Sequence, residues 1–109
     1  MTQQPLARVS KRIAAIKAEL ATIGEMRPGS LTRQYKDPKN RRGAYYQLSY
    51  TRDMKSRTEY VPRERVGEVR RQITNYKRFR SLVDQWVKLS IQRCRLLIRS
   101  TRGSSGTQR

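Results

Sequence analysis

The sequence predicts an α+β fold with an N-terminal helix, a three-stranded antiparallel β-meander and a long C-terminal helix that pairs with the first. Three patterns carry this reading. Leu6, Val9, Ile13, Ile16, Leu20 and Ile23 recur at intervals that alternate three and four, the period of a helical seam. Residues 30–61 switch to an alternation of two and are rich in Tyr and Thr, as half-buried strands are. Helical spacing then returns, and neither Pro nor Gly interrupts the run from Asn75 to Thr101.

In the first helix, Pro5 suits the first turn and Gly24 the left-handed position past the end. Met26-Arg27-Pro28-Gly29 reads as a turn. In Ser30–Lys36, Leu31, Arg33 and Tyr35 alternate with Thr32 and Gln34, giving a first strand. A polar loop from Asp37 to Gly43 leads into a hairpin whose turn is Arg52-Asp53-Met54-Lys55. Tyr46, Leu48 and Tyr50 share one face of its first strand, with Tyr45, Gln47 and Ser49 on the other. In its second strand, Thr58 and Tyr60 oppose Arg57, Glu59 and Val61. Weighting the aromatic residues as core sends Tyr60 inward with Tyr46, Leu48 and Tyr50, and turns Arg57 outward with Gln47 and Ser49.

Pro62 is expected to open the second helix, with Glu64 near its positive end. Its apolar row reads Val66, Val69, Ile73, Tyr76, Phe79, Val83, Trp86, Ser90, Cys94 and Leu97. If continuous it covers about 40 residues and ~60 Å, more than a sheet can cover, so its second half is expected to pair with the first helix or with another copy. The expectation is one domain over 1–102, with a helix over about 62–101 and a flexible tail over 103–109.

Charge dominates the composition. Among 109 residues, 26 Lys and Arg face 8 Asp and Glu, a net charge of +18. A compact chain so charged repels itself, and a polyanionic partner relieves that repulsion. A solubilising surface and affinity for an anionic membrane are the other readings of such a charge. Residues 1–26 carry a net +2, residues 27–65 carry +7 and residues 66–109 carry +9, so the sheet and long helix are the electropositive parts. Beyond Glu68 only Asp84 opposes the cations of the long helix, which favours phosphate contact over a solvated face of mixed sign.

Enzymatic chemistry is hard to assemble here, and none is expected. The chain has no histidine and one cysteine, Cys94, which removes the usual zinc ligands and any internal disulfide. Asp37 and Asp53-Met54-Lys55 echo a metal-dependent nuclease, but the two aspartates bracket a strand of ~25 Å, too far apart to share a metal. Cys94 lies on the apolar row and reads as a small core residue. No catalytic residue, metal or cofactor is expected. No apolar run approaches the ~20 residues that cross a bilayer, and no secretory signal is evident, so a cytoplasmic location without membrane contact is expected, with the nucleoid as one site within it.

The candidate contacts follow from chemistry. Lys39, Arg41, Arg42, Arg52, Lys55, Arg70, Arg71, Lys77 and Arg78 are the candidates for a nucleic-acid backbone. Gln34, Tyr45, Gln47, Ser49 and Arg57 are the candidates for bases or a groove, Gln and Arg being the types that bond adenine and guanine edges in pairs. An ordinary polar sheet surface would show the same residues.

Met26-Arg27-Pro28-Gly29-Ser30-Leu31, followed by Gly43-Ala44-Tyr45-Tyr46-Gln47-Leu48-Ser49-Tyr50, resembles a family of small basic bacterial proteins of unknown function. So does the run from Arg57-Thr58-Glu59-Tyr60-Val61-Pro62 into Val69-Arg70-Arg71-Gln72-Ile73-Thr74-Asn75-Tyr76. The resemblance covers roughly residues 13–98. It implies a setting near transposases or other mobile elements and supplies no established activity. Many members carry cysteines between the first two strands, where this chain has Lys36–Arg42. The order of three strands and a helix is also loosely similar to the sheet-type DNA-binding domains of some phage and transposon integrases, which insert a sheet into the major groove.

The reading that results is a non-enzymatic nucleic-acid-binding protein, with duplex DNA favoured, serving as an accessory or regulatory factor of a mobile element. In it, hairpin loops and long-helix cations grip phosphates while the outer sheet face sits in a groove. The alternatives are an RNA-binding component of a ribonucleoprotein, and an interaction protein whose helices assemble coiled-coil oligomers, with the charge serving solubility. Besides nucleic acid, the partners considered are a second copy, as a homodimer, or a mobile-element protein, met through the helices.

Overall fold

The computed structural model describes residues 4–105, with the side chains of 102–105 excepted. In order the elements are α1 (Pro5–Leu20), β1 (Ser30–Asp37), β2 (Arg42–Arg52), β3 (Lys55–Val61), a short 3-10 turn (Arg63–Arg65) and α2 (Val66–Ser105). The fold is the α+β arrangement read from the sequence. The chain divides into two compact units: Gly24–Arg78, and the remainder, built from Met1–Ile23 and Phe79–Arg109.

In the sheet unit the strands run β1-β2-β3, both pairs antiparallel. Leu48, with no exposed surface, is the centre of the core, joined by buried Val61 and by Val69 and Ile73 of α2. Leu31, Tyr46, Tyr50 and Val66 close around it. Gly29, at φ 136°, lets the chain enter β1 directly over this core, since a Cβ there would lie 2.6 Å from Leu48 Cδ1. A backbone bond from the Arg27 N–H to the Gln72 carbonyl (3.1 Å) and one from Asn75 Nδ2 to the Glu25 carbonyl (2.9 Å) tie this entry segment to α2.

The hairpin register corrects the faces expected for β3. The loop is two residues, Asp53 and Met54, both left-handed (φ 54° and 66°), the geometry of a type I′ turn. It pairs Arg52 with Lys55, Tyr50 with Arg57, Leu48 with Glu59 and Tyr46 with Val61. Residues directly opposite one another share a face. Arg57, Glu59 and Val61 therefore stand with the core row, and Tyr60 stands on the outer face, 68% exposed.

In the helical unit α1 packs on the distal part of α2. Buried Val9 and Ile16 meet buried Leu82 and Leu89, with Ile13, Leu20, Ile23, Trp86 and Leu96 around them. Arg93 Nε donates to Ser10 Oγ at 3.0 Å, and the Lys17 ammonium lies 5.4 Å from the Trp86 ring centre. The row against α1 is thus buried Leu82 and Leu89 with partly buried Leu96, not the expected Val83, Ser90, Cys94 and Leu97, and Cys94 is exposed rather than core. Two apolar rows lie on different sides of this helix, and α1 covers the one that contains the leucines.

The helix ends also shift. α1 stops at Leu20, where the N–H groups of Thr22 and Ile23 bond the carbonyls of Glu19 and Leu20. These tighter bonds close the last turn before Gly24, which is not left-handed. Pro62 is extended (ψ 146°) and caps the 3-10 turn, so α2 begins four residues later than expected, at Val66. Of the tail expected over 103–109, α2 includes Gly103–Ser105, and 106–109 lie outside the described residues. Among the described residues no helix is long and apolar enough to cross a membrane.

Candidate nucleic-acid interface

The outer sheet face is built by the register alone. Gln34 stands opposite Tyr45, Thr32 opposite Gln47, Ser30 opposite Ser49, Gln47 opposite Tyr60 and Ser49 opposite Thr58. These rows, with Lys36, Thr51 and Ser56, form one polar surface on which no carboxylate falls. Part of its hydrogen-bonding capacity is spent internally: Gln34 Nε2 donates to Thr32 Oγ1 at 3.2 Å, and the Thr51 and Ser56 hydroxyls bond at 3.1 Å. Tyr45 and Tyr60 are diagonal neighbours, ~7–8 Å apart by strand geometry. They line a shallow groove with Lys36, Gly43 and Ala44.

Cations sit at both ends of this face. At one end the β1–β2 loop presents Lys39, Arg41 and Arg42, all exposed. The loop is closed by Arg41 N–H to the Pro38 carbonyl (3.3 Å) and by the Asp37 carboxylate, which accepts from the Asn40 backbone N–H (3.4 Å) and side-chain Nδ2 (2.9 Å). Asp37 is thereby committed to the turn. Arg41 is left-handed at φ 53°, a conformation that glycine adopts freely and arginine does not. At the other end the type I′ turn carries Arg52 and Lys55, again exposed. By register Arg42, Arg52 and Lys55 belong to the core-side rows, so they flank the outer face from the strand ends rather than stand on it. Strand β2 between them rises ~33 Å, close to one turn of B-form DNA.

The expected base-contact residues separate. Gln34, Tyr45, Gln47 and Ser49 are together on the outer face. Arg57 is not with them: it lies opposite Tyr50, on the core side of the sheet. That row is occupied by an ionic network. Glu59 accepts from Tyr50 Oη (3.0 Å) and from the Arg27 guanidinium (3.1 Å), which also lies 5.9 Å from the Tyr50 ring centre. The Tyr50 hydrogen bond, then Arg27, holds the Glu59 carboxyl below its ordinary value of 4.5.

The helix cations do not join the outer face either. Val69 and Ile73 press α2 onto the opposite, inner side of the sheet. Arg70 and Lys77 flank the β1 edge, sharing a groove with Ser30, Leu31 and Thr74. Arg71 lines a different groove beside Glu25 and Glu68. Arg78, five residues beyond Ile73, points ~140° away from the sheet-facing row. The expectation that loops and helix cations grip one duplex around the outer face is corrected accordingly, because the sheet stands between them. Sequence reasoning missed Tyr60. The signal was available in the turn, since a two-residue loop at Asp53-Met54 fixes Tyr46 opposite Val61 and so turns Tyr60 outward.

A family model described as a domain of unknown function (DUF6788) matches residues 3–71, which span α1, the sheet and the start of α2. No curated protein and no solved structure matches the chain.

Proposed function

The chain belongs to the DUF6788 family of domains of unknown function, and we propose that it is a non-enzymatic nucleic-acid-binding protein that seats the outer face of its sheet in a groove of duplex DNA. The observation that carries this is the outer face itself, free of carboxylates, with cationic turns ~33 Å apart at its two ends. Lys39 and Arg41 in the loop at one end contact phosphates, and Arg42, Arg52 and Lys55, which end the core-side rows, reach them from around the strand ends. Gln34, Gln47 and Ser49 lie between them and offer donors and acceptors to base edges. Arg70 and Lys77 extend the positive surface around the β1 edge, while Arg57, Arg71 and Arg78 take no part in this contact. The motif resemblance supports a role as an accessory or regulatory factor of a mobile element.

Fluorescence anisotropy with duplex DNA, single-stranded DNA and structured RNA, each at several salt concentrations, tests the reading. Duplex preference that survives ~0.2 M salt is expected, since bare electrostatic attraction falls steeply there. Arg41→Ala with Arg42→Ala should weaken binding to all sequences and lower the slope of log K against log salt by about 1.8. An unchanged slope would remove the loop from the interface, and equal, salt-erased binding of all three ligands would remove the groove.

A second reading is favoured by one observation, the outward tyrosines. Tyr60 is 68% exposed and lines one groove with Tyr45 and Lys36, a pairing of rings and a cation that suits unpaired bases of an RNA. On this reading Tyr60→Ala weakens single-strand binding by about 1–3 kcal/mol and leaves duplex affinity unchanged.

A further inference from the structure

The distal part of α2 is apolar on two sides, and α1 covers one. The uncovered row consists of Val83, Val87, Ser90, Ile91, Cys94 and Ile98, which line a single open groove. Val87 is 51% exposed, Ile91 48% and Ile98 60%, a concentration that one helix pair leaves unburied. The row has an internal symmetry. Reflected about the midpoint between Ser90 and Ile91, Val83 exchanges with Ile98, Val87 with Cys94 and Ser90 with Ile91. Two antiparallel copies related by a two-fold axis at that midpoint would set every one of these residues against another residue of the same row.

We propose that this row is a homodimer interface, with α2 of one copy packed antiparallel against α2 of a second. The charges at its rim fit this direction. Asp84 and Arg95 lie on the same flank of the helix, and antiparallel pairing brings Asp84 of each copy beside Arg95 of the other. Parallel pairing would put this flank of the two copies on opposite sides of the contact, so Asp84 of one copy would not meet Arg95 of the other. The Asp84 carboxylate is 64% exposed, bonded to Lys88 at 3.1 Å within its own helix, and accessible to a second cation. The row Leu82, Leu89 and Leu96 that packs on α1 points ~150° away from this one, so each copy's α1 stays outside the contact. Between Val83 and Ile98 the contact runs ~22 Å along the helix, the small end of specific interfaces, so association in the micromolar range is expected.

Light scattering on the full chain from about 5 to 500 μM, in about 0.3 M salt to screen repulsion between the two cationic copies, reads this directly. The mass should rise from 12.9 kDa towards twice that value. Ile91→Lys, at a position half-exposed within one copy, should hold the mass at 12.9 kDa with the helical circular dichroism unchanged. A second measurement does not depend on that variant. Under mild oxidation Val87→Cys should form covalent dimers through Cys94 of the other copy, whereas the unaltered chain and Val87→Cys with Cys94→Ser should not. A monomer at every concentration overturns the proposal, as does a dimer indifferent to Ile91→Lys. Efficient cross-linking of the unaltered chain through Cys94 alone would also overturn it, because an axis between Ser90 and Ile91 holds the two Cys94 residues ~10 Å apart along the helix.

Discussion

Arg41→Gly should make the protein more stable and a poorer ligand for nucleic acid. Arg41 is held at φ 53° in the β1–β2 loop, fully on the surface, with its backbone N–H bonded to the Pro38 carbonyl. An L-residue in the left-handed region costs about 1–2 kcal/mol. Glycine removes that strain and loses about 0.5–1 kcal/mol through its freer unfolded chain. The net gain is about 0.5 kcal/mol, a rise of about 2–4 °C in the melting midpoint of a small domain. The same change deletes one phosphate contact. By counterion release this lowers the salt slope by about 0.9, which at 0.15 M salt corresponds to about a fivefold loss of affinity. Met54→Gly is the matched control. Met54 is left-handed too (φ 66°) and 97% exposed, and Asp-Gly is the favoured type I′ pair, so stability should rise by a similar amount with binding unchanged. Thermal melts and anisotropy titrations on both variants decide the matter. If Arg41→Gly gains stability at undiminished affinity, the loop does not touch phosphate. If it loses stability, the strain assigned to this residue is wrong.

Three other outcomes follow from the sheet unit. Leu48→Ala should cost about 2–5 kcal/mol in denaturant unfolding, because a fully buried side chain at the centre of the core leaves a cavity. Gly29→Ala should cost at least about 1–3 kcal/mol, combining strain at φ 136° with an added Cβ 2.6 Å from Leu48 Cδ1. Glu59→Gln should cost about 0.5 kcal/mol at pH 7, the discounted worth of an exposed ion pair. The Glu59 carboxyl is lowered in the folded state, so its contribution is present above the ordinary value of 4.5 and is lost as pH falls through the lowered one. A pH series of unfolding curves should therefore show the variant and the unaltered protein converging in acid, and a gap that persists there would exclude this origin.

The order and type of the two α-helices and three strands were legible in the sequence because local signals agree with the fold: the three-four seam of α1, the alternation of β1 and β2, the long uninterrupted α2. Two assignments were not legible from pattern alone, and both turn on a choice between adjacent residues. In β3, Tyr60 and Val61 are both plausible core residues, and aromatic content favours Tyr60. The turn decides otherwise, since Asp53-Met54 pairs Leu48 with Glu59 and Tyr46 with Val61. In distal α2, the rows beginning at Leu82 and Val83 are both apolar at helical spacing, and periodicity cannot say which meets α1. Packing selects the row with leucines at 82, 89 and 96, whose bulk fills the space against Val9 and Ile16. The site residues fared according to the same rule. Those on β1 and β2 stay together because their faces were read correctly, and Arg57 left the group with the β3 register.

The distribution of acids bears on whether the charge serves solubility or a ligand. Six of the eight carboxylates lie within Gly24–Arg78: Glu25, Asp37, Asp53, Glu59, Glu64 and Glu68. Asp37 closes a turn, Asp53 sits at a hairpin tip, Glu59 is held by Tyr50 and Arg27 on the core side, and Glu68 accepts from Arg65 (2.7 Å) and Gln72 (3.3 Å) along the helix. None falls on the outer rows, where Lys36 is the one ionised side chain. A sheet surface whose task is solvation would carry ions of both signs across its middle, where cross-strand pairs are available. This surface has hydroxyls, amides and two phenols in its middle and cations at its ends, the division of labour that base edges and flanking phosphates demand of a ligand-binding face. A variant that places acids there, Ser49→Glu with Thr58→Glu, keeps two exposed positions exposed and moves the net charge from +18 to +16. If bulk charge alone drew the protein to nucleic acid, so small a change would barely register. If the face itself is the contact, the pair should abolish specific binding while the melting midpoint falls only slightly.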